Sequence, residues 1–154
     1  MKTSIRAILL AALIAPAAAL AASSGPAMSV PTDPTYERAT QAISRSDWPS
    51  AQAALQEALA RDPNNADYHN LYAYSLRKGA NPDMSLVFKH YNEALRIDPK
   101  HKGANEYLGE AYLMVNNLPK AKEQLATLDK LCFFSCKEFT DLKKSIADYE
   151  AKPR

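Results

Sequence analysis

Two periodicities are superimposed on this chain, a short one of three and four residues and a long one of 36, the distance from Pro63 to Pro99. From residue 32 to about residue 131, alanine, leucine and tyrosine recur three and four positions apart, which places them on one face of a helix. Two segments, QEALARDP and NEALRIDP, close with Asp62-Pro63 and Asp98-Pro99. A residue before proline is pushed out of the helical region, so each Asp-Pro predicts a stop and a turn. The elements pair off as helix, short turn, helix, and the pair repeats. Residues 137–150, KEFTDLKKSIADYE, carry Phe139, Leu142, Ile146 and Tyr149 at steps of three, four and three, with lysine and aspartate on the other faces. This stripe predicts a last helix that caps the array, because the final hairpin of a repeat protein has no neighbour to cover its apolar side. The fold class expected is all-α.

Each second helix has a start signal: Asp47, Asp83 and Asn117 can cap it, with Pro49 and Pro119 close behind in two of the three. Small residues fall at regular places within the units. In these features the chain resembles the tetratricopeptide repeat, a 34-residue helical hairpin with small residues at positions 8, 20 and 27 and a proline at 32. A first repeat over residues 32–65 puts Ala39, Ala51, Ala58 and Pro63 there. A second over 66–101 puts Ala73, Val87, Ala94 and Pro99 there, once a two-residue insertion is placed in Gly79-Ala80-Asn81-Pro82. A third over 102–135 supplies Gly109, Ala121 and Leu128, but holds Cys132 and Phe133 where the others hold Asp-Pro. Leu55, Tyr91 and Leu125 fill the space between hairpins, and residues 136–150 form the cap. The resemblance implies a right-handed superhelix of three such hairpins with a C-terminal capping helix. The match departs from the family at position 4, where Thr35, His69 and Asn105 replace tryptophan, and at Arg38, which stands at an apolar position.

The resemblance also implies a function: a non-enzymatic adaptor or scaffold that holds a peptide or a partner's helix in a concave groove lined by the first helix of each hairpin. Family groove positions fall on Tyr36 in the first repeat, on Asn70, Tyr74 and Arg77 in the second, and on Glu106 and Glu110 in the third. Tyrosine and arginine anchor interfaces well, and an asparagine can pair with an extended backbone. Family members that hold a terminal carboxylate use lysines and asparagines. With two glutamates in the groove, a mixed-charge or basic peptide fits better. Tyr74→Ala and Arg77→Ala are expected to weaken partner capture without unfolding the protein.

Export changes the picture next. MKTSIRAILLAALIAPAAALA has Lys2 and Arg6, an apolar run from Ala7, and the small-residue pattern Ala19-Leu20-Ala21. It predicts a signal peptide over residues 1–21, cleaved after Ala21, and is too short before Pro16 to span a bilayer. Residues 22–31 suit a flexible leader. The alanine-rich signal and the lack of any Asn-x-Ser/Thr sequon favour the periplasm, and an envelope protein as partner. Removing two cations from 19 leaves 17, against 17 acidic residues, so the mature chain is near neutral. That disfavours a nucleic-acid partner, and no membrane insertion is expected after cleavage. Three repeats can stand as a monomer, or stack end to end as a dimer.

Candidate chemistry is sparse. Phosphate-loop, nucleophile-elbow and His-Glu-x-x-His motifs are absent, and His69, His90 and His101 are spread too widely in sequence to imply a site. No catalytic residue, cofactor or metal is expected. The remaining candidates are Cys132 and Cys136. On one unbroken helix their Cβ atoms would be roughly 5–6 Å apart, against about 3.5–4.5 Å in a disulfide, so a bond needs the helix to break. In an exported protein the pair suits a staple at the turn into the cap, with Phe133 or Phe134 packing beneath it. Two thiolates also suit Cu(I) or redox exchange, and this alternative stays open on the sequence.

Overall fold

The computed structural model describes residues 33–152. The expected signal peptide and leader lie outside the described residues. Residues 33–152 fold into seven helices, α1 (Pro34–Ser44), α2 (Trp48–Arg61), α3 (Ala66–Lys78), α4 (Met84–Ile97), α5 (Lys102–Met114), α6 (Leu118–Leu131) and α7 (Lys137–Glu150). Among the described residues there is no strand. Each helix packs on the next, and α5 also lies against α3 and α7.

Local chemistry sets these boundaries. Asp47, Asp83 and Asn117 each accept a backbone N–H from the first turn of α2, α4 and α6, at Ser50, at Ser85 and Leu86, and at Lys120. Such caps satisfy donors that the helix leaves unpaired. The turns within the first and third hairpins occupy residues 45–47 and 115–117, whereas that of the second occupies 79–83 and so holds the two extra residues. One left-handed residue reverses the chain in each, Ser46, Asn81 and Asn116, with φ of 56°, 53° and 58°. Asparagine tolerates that region better than most side chains.

Between hairpins the chain turns at three equivalent corners. The N–H groups of Asp62, Asp98 and Cys132 donate to the carbonyls of Ala58, Ala94 and Leu128, at 2.9, 2.8 and 2.9 Å, and all three residues leave the helix in a non-helical conformation. Cys132 thus turns the chain without a following proline. The helix is broken between the cysteines, and Cys132 and Cys136 are bonded with their Cα atoms 5.6 Å apart. Cys136 begins α7 with no side-chain cap. The packing expected for the phenylalanines is corrected: Phe133 and Phe134 are 92% and 93% exposed and touch each other edge-on at 4.9 Å. Only three residues separate the cysteines, and Leu128 and Leu142 already fill the space between α6 and α7, so the loop runs outside the corner.

The core is a column of small contacts and larger fillers. Ala39, Ala51, Ala58, Ala73, Val87, Ala94, Ala121 and Leu128 are fully buried, as are Leu55 and Tyr91. Small residues let helix axes approach, and the fillers occupy what remains. At Gly109 the helices approach closely, since a Cβ there would lie 2.6 Å from a methyl of Leu142 on α7. Helix α7 occupies the place of a first helix, and among the described residues no second helix follows it. In consequence Leu125 is only half-buried, and a cleft of about 390 Å³ lined by Leu125, Ala126, Phe139 and Ile146 stays open between α6 and α7.

Candidate interaction face

The six residues assigned to the groove fall on α1, α3 and α5, and the fold divides them. Tyr36 belongs to a shallow hollow of about 230 Å³ with Asp33, Asn65, Asp67 and Tyr68. Its ring leans on that of Tyr68 at 5.9 Å, and burial, then the Asp67 charge, push its hydroxyl pKa upward. The Tyr68 hydroxyl donates to Asp33 Oδ2 at 2.6 Å, which holds the tyrosine up at about 12 and the carboxyl below its usual range.

Tyr74 stands in a row of rings, 5.9 Å from Trp48 and 4.8 Å from Tyr107. Arg77 extends across this row, its guanidinium 5.6 Å from the Tyr74 centroid and 5.7 Å from that of Tyr107. Its expected role as an open contact is corrected by burial to 8% exposure and by its partners. Nε donates to the Tyr91 hydroxyl at 3.2 Å and Nη2 to Glu110 Oε2 at 2.7 Å, while Glu110 Oε1 accepts from the Ser145 hydroxyl at 3.2 Å. One side chain thereby joins α3, α4, α5 and, through Glu110, α7. Removing it would leave a half-buried carboxylate without its cation, a loss of about 3 kcal/mol or more, so Arg77→Ala is a stability variant as well as a surface one.

Asn70 and Glu106 are buried residues of α3 and α5. Asn70 is 5% exposed, and its Oδ1 is the single buried side-chain polar atom among the described residues without a hydrogen-bond partner. Glu106 is 6% exposed, and burial, followed by the charges of Glu110 and Asp141, pushes its carboxyl up to about 7. Lys137 opposes this shift but is itself paired with Asp141.

Sequence separation misjudges the histidines. His69 and His90, on the facing helices α3 and α4, bring their Nδ1 atoms within 2.8 Å, with ring centroids 5.0 Å apart. His69 Nε2 lies 3.0 Å from the Pro63 carbonyl, which can only accept. Neutral His69 therefore carries its proton on Nε2, and His90 donates from Nδ1. Burial, then the neighbouring His69 and Lys89, hold the His90 pKa down to about 4. A helical hairpin apposes residues whose spacing spans its turn, which is the signal that finds this pair. Among the described residues no group of three or more His, Cys, Asp or Glu is placed to hold a metal ion, and no helix is long and apolar enough to cross a membrane.

Residues missed on the sequence include Tyr107, Ser145 and Lys137, each one step from the assigned positions in space. Tyr91, assigned only as a filler, also hydrogen-bonds Arg77.

No protein-family model matches the sequence. No curated protein matches it either. Solved structures do resemble it. The TPR2B domain of yeast Sti1 in its complex with pHsp70 is 22% identical with a TM-score of 0.65, over 74% of this chain and 94% of that one. The type III secretion translocator chaperone SycD of Yersinia enterocolitica, in an alternative dimer, is 16% identical with a TM-score of 0.63, over 75% and 85%. The first TPR of Spaghetti (RPAP3), bound to the HSP90 peptide SRMEEVD, is 17% identical with a TM-score of 0.63, over 77% and 94%.

Proposed function

We infer from its tetratricopeptide-repeat fold that this chain is a protein-interaction adaptor, with the face formed by α1, α3, α5 and α7 as its binding surface. The chain is exported to the periplasm, acts without catalysis, and receives there a peptide or helix of an envelope protein. The observation that carries this reading is polar and aromatic residues along one face with no catalytic grouping beside them: Tyr36, Asn70, Tyr74, Glu106. Two of the structural neighbours are complexes, one with pHsp70 and one with an HSP90 peptide. Around Glu106 the charges of Glu110, Glu138 and Asp141 outnumber that of Lys137 and favour a basic or mixed-charge segment.

Capture from envelope extract on immobilised wild type, Tyr36→Ala and Tyr74→Ala tests the surface. Both variants recover less of the same partner, while equal yields from all three refute the face. The corner cysteines serve this adaptor as a staple for α7. Mass-shift counting of thiols with and without reductant checks it: two free thiols in the native protein, with one Cu(I) taken up per chain, would replace the staple with a metal site.

A further inference from the structure

A carboxylate that is buried, ionisable and unpaired works against folding, and Glu106 is all three. No hydrogen bond or ion pair ends on it among the described residues, whereas the two nearby cations are both engaged, Arg77 with Glu110 and Lys137 with Asp141. Burial leaves it 6% exposed, yet its oxygens, unlike Asn70 Oδ1, keep contact with solvent and can be reached. The charged groups facing it are Glu110 on its own helix and Lys137, Glu138 and Asp141 on α7, so the surroundings are acidic beyond what the one lysine offsets.

Asn70 repeats the pattern on α3. It is 5% exposed, and its side chain makes no hydrogen bond. Its amide nitrogen lies beside Gly103, where even a methyl group would come within 3.3 Å. Gly103 and Glu106 are three residues apart on α5 and share a face. Buried polar groups are almost always hydrogen-bonded, and here two of them, on adjacent helices, lack a partner at one place on the binding surface.

We propose that Glu106 and Asn70 form the anchor subsite of the binding face: the Glu106 carboxylate receives one lysine or arginine side chain of a peptide partner, and Asn70 Nδ2, beside Gly103, donates to a backbone carbonyl of that peptide. The proposal rests on the reading of this face as the binding surface. Charge complementarity selects the occupant, since an anionic or apolar side chain would leave the carboxylate buried without a counter-charge. The elevated carboxyl adds a signature. Binding a cation draws Glu106 into its charged form and releases a proton, so affinity falls at least tenfold from pH 7.5 to pH 5.5.

A displayed library of random twelve-residue peptides, selected on the full chain, supplies the probes. The selected peptides are then measured on wild type, Glu106→Gln and Tyr74→Ala, each also with the basic residue replaced by norleucine. The expected result is a shared lysine or arginine whose replacement costs at least tenfold on wild type and less than twofold on Glu106→Gln. Peptides that weaken on Tyr74→Ala but need no cation, or bind Glu106→Gln equally, overturn the anchor while leaving the face in place. Peptides indifferent to both substitutions overturn the anchor and the face together.

Discussion

Replacing Gly109 by alanine asks the contact between α5 and α7 to make room for one methyl group. The new Cβ would lie 2.6 and 2.7 Å from the two methyls of Leu142 and 3.2 Å from its Cγ, well inside contact distance. Leu142 is fully buried against Ala121, Leu128 and Ile146, so it cannot swing aside without displacing them. Overpacking of this kind costs about 1–3 kcal/mol, and the better helix propensity of alanine returns about 1 kcal/mol. A clash this short belongs in the upper part of that range, which predicts a net loss of about 1–2 kcal/mol and a melting temperature lower by roughly 5 °C. Leu142→Ala alone should cost about 2–5 kcal/mol through its cavity. In the double variant the methyl added at position 109 enters the space Leu142 vacates, so the combined cost falls short of the sum by about 1 kcal/mol or more. Urea denaturation of the four proteins measures this coupling. A Gly109→Ala protein that melts above wild type, or costs that add within about 0.5 kcal/mol, would refute the close approach as the reason for the glycine.

Three further outcomes follow from titration and capping. Because the folded state holds the Glu106 carboxyl near 7, it binds a proton between pH 4.5 and 7 that the unfolded chain has released; Glu106→Gln should therefore match wild type at pH 4 and exceed it by up to about 3 kcal/mol above pH 7, in urea titrations across that window. His90 acts in the opposite direction. Its folded pKa near 4 lies below the unfolded value, so its contribution is present above pH 6.5 and is lost as pH falls toward 4; after allowance for partial exposure this is about 1–2 kcal/mol, and His90→Gln should flatten that slope in thermal melts. A bond closing the Cys132–Cys136 loop contributes about 2 kcal/mol by chain entropy, but serine at 136 would supply the side-chain cap that α7 lacks. The Cys132→Ser/Cys136→Ser protein should thus be more stable than the double alanine variant by about 1 kcal/mol, as read by chemical denaturation.

What the sequence conveyed was whatever depends on local spacing. Helical periodicity, the Asp-Pro corners, the caps at Asp47, Asp83 and Asn117 and the small residues at hairpin contacts are all decided within a few residues, and each has its place in the structure. The extra length of the 79–83 turn is legible because Pro99 lies two residues beyond the place that a 34-residue repeat starting at residue 66 gives its proline. Pairings across helices were not legible. Arg77 looks like a surface cation until Glu110 and Tyr91 are seen to meet it, 33 and 14 residues away. The His69–His90 contact needs the rotation of two helices about their axes, which residue spacing does not specify to within one side chain. Phe133 and Phe134 invite a buried reading on hydrophobicity alone; the short covalent loop overrules it.

Repeat arrays whose units touch only their neighbours can open one hairpin at a time. The Arg77 cluster limits that freedom, since withdrawing α5 or α7 exposes part of a charge network shared with α3 and α4. The first hairpin makes no hydrogen bond to it and is attached to α3 through Gln52 bonded to the Ser75 carbonyl, Trp48 against Tyr74, and Tyr68, which leans on Tyr36 and donates to Asp33. Amide exchange in α3, α4, α5 and α7 is therefore expected to be coupled into one slow block, with α1 and α2 opening at lower free energy. Fraying has a direction in this molecule, beginning at the end that carries Tyr36 and leaving the Glu106 side of the face intact.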